Sequence, residues 1–100
     1  MDAPRYLCSH LVQLNWNGGS MTVNLEEVWR DGAVLDAEEA APEGTTAEIH
    51  CGSEFFTGRL TRVTRGDFGW RIEMEFSPLT PWSPEKFRPQ HLIDLSKLEG

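Results

Sequence analysis

The chain has 100 residues, of which 39% are hydrophobic and 25% are charged, a balance too apolar for a disordered protein. Sixteen acidic residues against nine basic ones give a formal net charge of -7, which argues against broad nucleic-acid binding and against electrostatic attachment to a membrane. One domain of this length buries enough surface for a modest core without a metal or a disulfide.

The first ten residues, MDAPRYLCSH, contain no apolar run of signal-peptide length, and no segment is long enough to span a bilayer. We therefore expect a cytoplasmic protein without membrane insertion. Cysteines of cytoplasmic proteins are usually reduced, so Cys8 and Cys51 are expected to be free thiols, with a disulfide between them as the alternative.

The first half of the chain predicts a hairpin followed by a loop. Apolar residues alternate from Tyr6 to Trp16, which is typical of a strand with one buried face. The turn signal NGG at 17–19 leads into a second alternating strand, from Met21 to Leu25. We predict that this strand ends near Leu25 and that a loop continues to Gly32.

The middle of the chain predicts four more strands. They are expected at Ala33–Ala37, Thr46–Cys51, Phe55–Arg65 and Trp70–Phe76, with an acidic loop before the second of them. A three-residue loop at 66–68 would pair Leu60 with Met74 and Arg59 with Glu75. The same register points Arg62 inward, unless a bulge at Gly58 reverses the alternation.

Four prolines between residues 78 and 89 interrupt this pattern, and the run from Gln90 to Leu98 predicts a short helix. The expected fold class is mainly β: a small six-stranded antiparallel barrel at 1–78. Residues 79–100 are expected to form a Pro-rich connector and a short C-terminal helix packed on the barrel, within a single domain.

Several short motifs occur in an order that resembles the PilZ domain family. They lie between residues 5 and 76: a strand ending in Asn-Leu, a Gly-Ala followed by apolar residues, Pro-x-Gly-Thr before the fourth strand, a glycine inside the fifth, and a strand closing in Glu-Phe. The resemblance implies a six-stranded barrel that acts as a receptor module. Many members of the family bind the bacterial second messenger cyclic di-GMP.

Two motifs carry that binding in the family. The first is Arg-x-x-x-Arg before the first strand, and arginine suits phosphate and guanine edges because its planar fork donates two parallel hydrogen bonds. In this chain Arg5 matches one arginine, and the other falls on Met1 or on Ser9. Arg30 is a candidate replacement for the missing arginine.

The second motif is (Asp or Asn)-x-Ser-x-x-Gly. Asn24 matches its first position, Glu26 replaces the serine, and Gly32 supplies the glycine only if the loop is three residues longer. Acidic residues at 26, 27 and 31 would stand near the ligand phosphate. Like charges about 5 Å apart repel by about 3 kcal/mol at an effective dielectric constant of about 20.

We therefore predict a PilZ-like bacterial signalling module that acts by protein-protein contact, with cyclic di-GMP binding weak or lost. One alternative is a functional cyclic di-GMP receptor with a variant site at Arg5, Asn24, Arg30 and Gly32. A second alternative is a structural barrel that serves for oligomerisation. We expect an unidentified protein partner and no cofactor other than cyclic di-GMP as a possible ligand.

Trp29 and Trp82 are the candidate partner contacts, because tryptophan is enriched at interface hot spots; packing against the barrel is the alternative for both. No pattern predicts catalytic residues, so the protein is not expected to be an enzyme. No metal site is expected either, since Cys8, His10 and Cys51 lack the spacing of a metal motif. A phosphate site is a minor alternative at the basic cluster of Arg59, Arg62, Arg65 and Arg71.

Overall fold

The computed structural model describes residues 4–95, which form a closed antiparallel barrel of six strands and one additional short strand. Neighbours around the barrel follow the order β1-β2-β3-β6-β5-β4, and β4 closes the ring by pairing with β1. The mainly β prediction is therefore confirmed. The strands are β1 (Tyr6–Trp16), β2 (Gly19–Trp29), β3 (Gly32–Ala37), β4 (Thr46–Cys51), β5 (Glu54–Arg65), β6 (Trp70–Phe76) and β7 (Ile93–Asp94).

Alternate residues of the six barrel strands fill the interior. Each large side chain that is fully buried there contributes roughly 1.5–3 kcal/mol relative to an exposed position. The largest of these side chains in the core cluster are Phe56, Leu14, Leu25, Leu35, Ile49, Leu60, Ile72 and Met74.

Strand β2 is longer than the sequence predicted, and the loop expected from Leu25 to Gly32 does not form. The strand continues to Trp29, which pairs with Gly32 across a two-residue turn. The register shifts between Leu25 and Glu27, because a bulge inserts one residue there. Inward positions therefore change from Leu25 to Val28, and this break in alternation hid the second half of the strand.

The β5–β6 register confirms the predicted pairs of Leu60 with Met74 and of Arg59 with Glu75. The loop between the strands has four residues, 66–69, and not three. The extra residue is absorbed by a bulge between Leu60 and Arg62, which turns Arg62 outward. The inward orientation predicted for Arg62 is therefore wrong, and the bulge lies beyond Gly58.

The short C-terminal helix predicted at Gln90–Leu98 is not seen in the described part of the chain, and residues 96–98 lie outside it. Residues 93–94 instead form β7, which pairs with Tyr6 and Leu7 of β1. Strand β4 covers this edge of β1 only from Gln13 to Trp16. The N-terminal half of the edge therefore presents backbone groups that need partners, and the C-terminal segment supplies some of them.

We call residues 77–95 the C-terminal strap. Trp82 fastens it, because its indole is 3% exposed, meets the Tyr6 ring edge-on at 5.3 Å and donates from Nε1 to the Phe87 carbonyl at 3.0 Å. Within residues 4–95 there is no helix with the length and apolar character needed to cross a membrane.

Candidate functional site

The candidate ligand residue Arg5 lies beside the end of β2, because the neighbouring Tyr6 pairs with Val28. Its guanidinium nitrogen is 3.1 Å from a carboxylate oxygen of Glu27. The same guanidinium lies over the indole of Trp29, with 4.0 Å between its central carbon and the ring centroid. We call Arg5, Glu27 and Trp29 the Arg5 cluster. Its cation already has an anionic partner and an aromatic partner within the chain.

The second candidate cation, Arg30, occupies the turn between β2 and β3. Its guanidinium donates two hydrogen bonds of 3.2 Å to the carboxylate of Asp31, and this contact raises the pKa of Arg30. The backbone of the turn is fixed on both sides. The carbonyl of Asp31 accepts from the Phe76 amide at 2.8 Å, and that of Arg30 accepts from the Trp82 amide at 3.0 Å. The turn therefore presents an exposed, internally neutralised pair of charges.

Gly32 is required by packing. A Cβ at this position would collide with the Met74 carbonyl oxygen and would lie 2.9 Å from the Trp29 indole. The glycine therefore lets the indole lie flat on the strand pair, where it supports Arg5.

Asn24 lies apart from the other candidate ligand residues. It precedes Trp29 by five positions on β2, which corresponds to about 15 Å along a strand. Its side-chain oxygen accepts from the Ser9 hydroxyl at 3.4 Å. Of the four predicted ligand residues, Arg5, Arg30 and Gly32 thus meet at the β2–β3 hairpin end, and Asn24 does not join them.

The position that replaces the motif serine carries negative charge. Glu26 sits at the β2 bulge, where burial and then the neighbouring Asp36 raise the pKa of its carboxyl, while Arg71 lowers it. The carboxylate is already disfavoured by its surroundings. A ligand phosphate nearby would add a further like charge.

The two candidate partner contacts differ in exposure. Trp29 is half-buried and borders the exposed turn, whereas Trp82, within the strap, is buried against the barrel core. Trp82 therefore serves to fasten the strap, and Trp29 is the indole that borders the surface at this end of the barrel.

Cys8 and Cys51 are both free thiols that point into the barrel, so the disulfide alternative is not seen. Burial raises the pKa of each to about 12, and the Cys8 thiol donates to the Leu25 carbonyl at 3.3 Å. These thiols stay protonated at neutral pH and are poor metal ligands. In residues 4–95 no three His, Cys, Asp or Glu side chains are grouped in a way that could hold a metal ion.

The basic cluster is divided among separate partners. Arg59 donates to the Gly44 carbonyl at 3.1 Å, and Arg62 lies 3.9 Å from a Glu73 carboxylate oxygen. Arg65 lies over the Trp70 ring at 5.3 Å. Arg71 pairs with Asp36 across β3 and β6. This arrangement does not converge on one phosphate position.

The sequence analysis placed Glu27 among the carboxylates near the ligand phosphate but did not predict its ion pair with Arg5. One signal was present: apolar residues stand at 23, 25 and 28, a phase break that indicates a bulge within a strand. With that bulge, Glu27 and Trp29 fall next to the start of β1.

No protein-family model matches the chain, and no curated protein matches it significantly.

Proposed function

We propose that the protein is a divergent PilZ-like bacterial signalling module, cytoplasmic in location, that acts through protein contact and binds cyclic di-GMP weakly or not at all. The closed six-stranded barrel supports the proposal, since it is the architecture that the resemblance implies. The observation that carries the nucleotide part is the Arg5 cluster, in which the one matched arginine is held by Glu27 and Trp29.

A nucleotide would have to replace these contacts. Its phosphate would compete with Glu27 for the guanidinium, and a guanine would compete for the cation-binding face of Trp29. Arg30 offers no compensation, because Asp31 neutralises it. A phosphate that approached Arg5 would also meet the carboxylate of Glu27, which lies 3.1 Å from the Arg5 guanidinium.

The proposed contact surface is the β2–β3 hairpin end. Trp29 provides a planar apolar group there, and the Arg30–Asp31 pair provides charges of both signs at its rim. Interfaces commonly combine an aromatic anchor with a polar rim, which fits a folded protein partner better than a polyanion.

Calorimetric titration with cyclic di-GMP tests the proposal. We expect no saturable heat below about 100 μM ligand, which corresponds to a binding free energy weaker than about -5.5 kcal/mol. The matched control is the double variant Arg5→Ala/Arg30→Ala, which should give the same trace. A low-micromolar dissociation constant that the double variant loses would establish the variant receptor site. Tight binding retained in that variant would place the nucleotide elsewhere.

Oligomerisation is the second candidate function, and one observation favours it. Leu7 and Ile93 pair on β1 and β7 with 38% and 46% of their surfaces exposed, and Leu11 on the same face of β1 is 70% exposed. Apolar side chains beside a short edge strand suit pairing with another copy. Light scattering separates the two proposals, since a monomer at several hundred micromolar contradicts self-assembly.

A further inference from the structure

Two consecutive residues of β1, Ser9 and His10, hold the C-terminal strap at the backbone of a single residue, Gln90. The backbone amide of Gln90 donates to Nδ1 of His10 at 3.1 Å, and the Gln90 carbonyl accepts from the Ser9 amide at 3.1 Å. The Phe87 ring packs edge-on against the imidazole, with 5.0 Å between centroids. His10 is therefore a second side chain of β1, besides Tyr6, that contacts the strap.

The backbone donor in this contact determines which nitrogen of the His10 imidazole carries the proton. A backbone amide has a proton to donate and no free lone pair, so Nδ1 must be the unprotonated acceptor and Nε2 must carry the proton of the neutral ring. An imidazolium carries protons on both nitrogens. The Nδ1–H of the imidazolium would face the N–H of Gln90. Both groups are hydrogen-bond donors, so the Gln90 amide would lose its acceptor.

We propose that His10 is a pH-sensitive latch for the strap: the neutral imidazole closes the strap on β1, and protonation releases Gln90 and loosens the strap from Phe87 to β7. Imidazole is the side chain that ordinarily changes charge between pH 5 and 8, so pH 8 and pH 5 are the two conditions at which the latch is compared.

The surroundings of His10 contain groups of both signs. On β1, Cys8 shares the inner face and remains an uncharged thiol, because burial raises its pKa to about 12. Charged or titratable residues on the two elements that flank His10 include Glu26 and Glu27, which follow its partner Leu25 on β2, and Arg88, His91 and Asp94 on the strap.

The strap also reaches the proposed contact surface. The Leu95 amide donates to the Arg5 carbonyl at 3.0 Å, and the Trp82 amide donates to the Arg30 carbonyl at 3.0 Å. Release of the strap would remove a backbone bond beside Arg5 and so alter the hairpin end. This consequence rests on the proposed function, whereas the latch itself does not.

Heteronuclear NMR on the isotope-labelled full chain tests the latch directly. At pH 8 we expect a scalar coupling across the hydrogen bond between the Gln90 amide nitrogen and Nδ1 of His10. The coupling should vanish on acidification to pH 5. Amide protection factors, which correct for intrinsic exchange, should fall at least about tenfold at Gln90 and across β7, the size expected for the loss of one net hydrogen bond. Amides of β3 and β6 should keep their protection.

Two variants provide the controls. His10→Asn places an amide oxygen near the position of Nδ1 and does not titrate, so strap protection should change less than about twofold between pH 8 and pH 5. His50→Gln removes an imidazole that contacts Glu48 at 2.8 Å and should keep the wild-type response. Strap protection that is independent of pH in the wild type, or an equal loss in His10→Asn, would overturn the latch. The coupling in the wild type decides the question even if His10→Asn does not fold.

Discussion

At the scale of single residues, both arginines at the hairpin end already contact an oppositely charged side chain of the same chain. Arg5 has Glu27 and Trp29, and Arg30 has Asp31. Exposed ion pairs of this kind contribute only about 0–1 kcal/mol to stability, so their main effect is on what else can bind there. Glu26, by contrast, is partly buried and near Asp36, and both conditions disfavour its carboxylate.

Replacement of Glu26 by Gln is predicted to stabilise the protein at neutral pH. Burial and then Asp36 raise the pKa of Glu26 in the folded state, so its charged form opposes folding. That penalty is fully present above the folded-state pKa and disappears as the pH falls below 4.5, the ordinary pKa of a glutamate side chain. Urea unfolding should show a gain of about 0.5 kcal/mol at pH 7 and a smaller gain at pH 4.

The matched control for this change is Glu39→Gln on the exposed loop after β3, which should leave the free energy of unfolding unchanged within about 0.3 kcal/mol. A Glu26→Gln variant that is no more stable than the wild type at pH 7 would contradict the charge arrangement at the bulge.

At the scale of elements, close approach of strands restricts side chains at specific positions. Gly58 of β5 pairs with Phe76 of β6, and a Cβ at Gly58 would collide with the Glu75 carbonyl oxygen. A glycine is therefore needed at position 58 for steric reasons, which the sequence alone does not reveal. It lets the end of β6 approach β5 at the place where the strap begins, where the Ser77 amide donates to the Thr57 carbonyl at 2.8 Å.

Gly58→Ala is predicted to lower the free energy of unfolding by about 2 kcal/mol or more, because backbone must move to admit the methyl group. Gly66→Ala is the control in the next loop. A Cβ there would be 3.6 Å from the Gly69 carbonyl oxygen, an ordinary contact, so its effect should stay within about 0.5 kcal/mol. Equal stability of the two variants in denaturant unfolding would contradict the close packing of β5 on β6.

At the scale of the whole molecule, the barrel could be predicted from alternation, because strands such as β1, β4 and β6 keep one inward face in period-two alternation. The second strand and the strap could not. A bulge at Glu26 broke the alternation of β2, and the run from Gln90 to Leu98 predicted a helix where residues 93–94 form a strand. Pairing of β7 with the open edge of β1 joins residues far apart in the sequence, so the local residue pattern does not predict it.

The candidate site, like the fold, could be predicted only in part. Arg5, Arg30 and Gly32 were identified as candidates and lie at one end of the barrel. The contacts that Arg5 makes within the chain depend on Glu27 and Trp29. These two residues reach Arg5 because of the bulge in β2 and the antiparallel register of β2 with β1.

The central claim, that Glu27 holds Arg5 in place of a ligand anion, is tested most directly by calorimetric titration of cyclic di-GMP into the wild type and into Glu27→Gln. The substitution frees the guanidinium and removes one like charge, so we predict binding at least about tenfold tighter in the variant than in the wild type, equivalent to about 1.4 kcal/mol. A wild type that already binds with a low-micromolar dissociation constant, or a variant that binds no better, would contradict the claim.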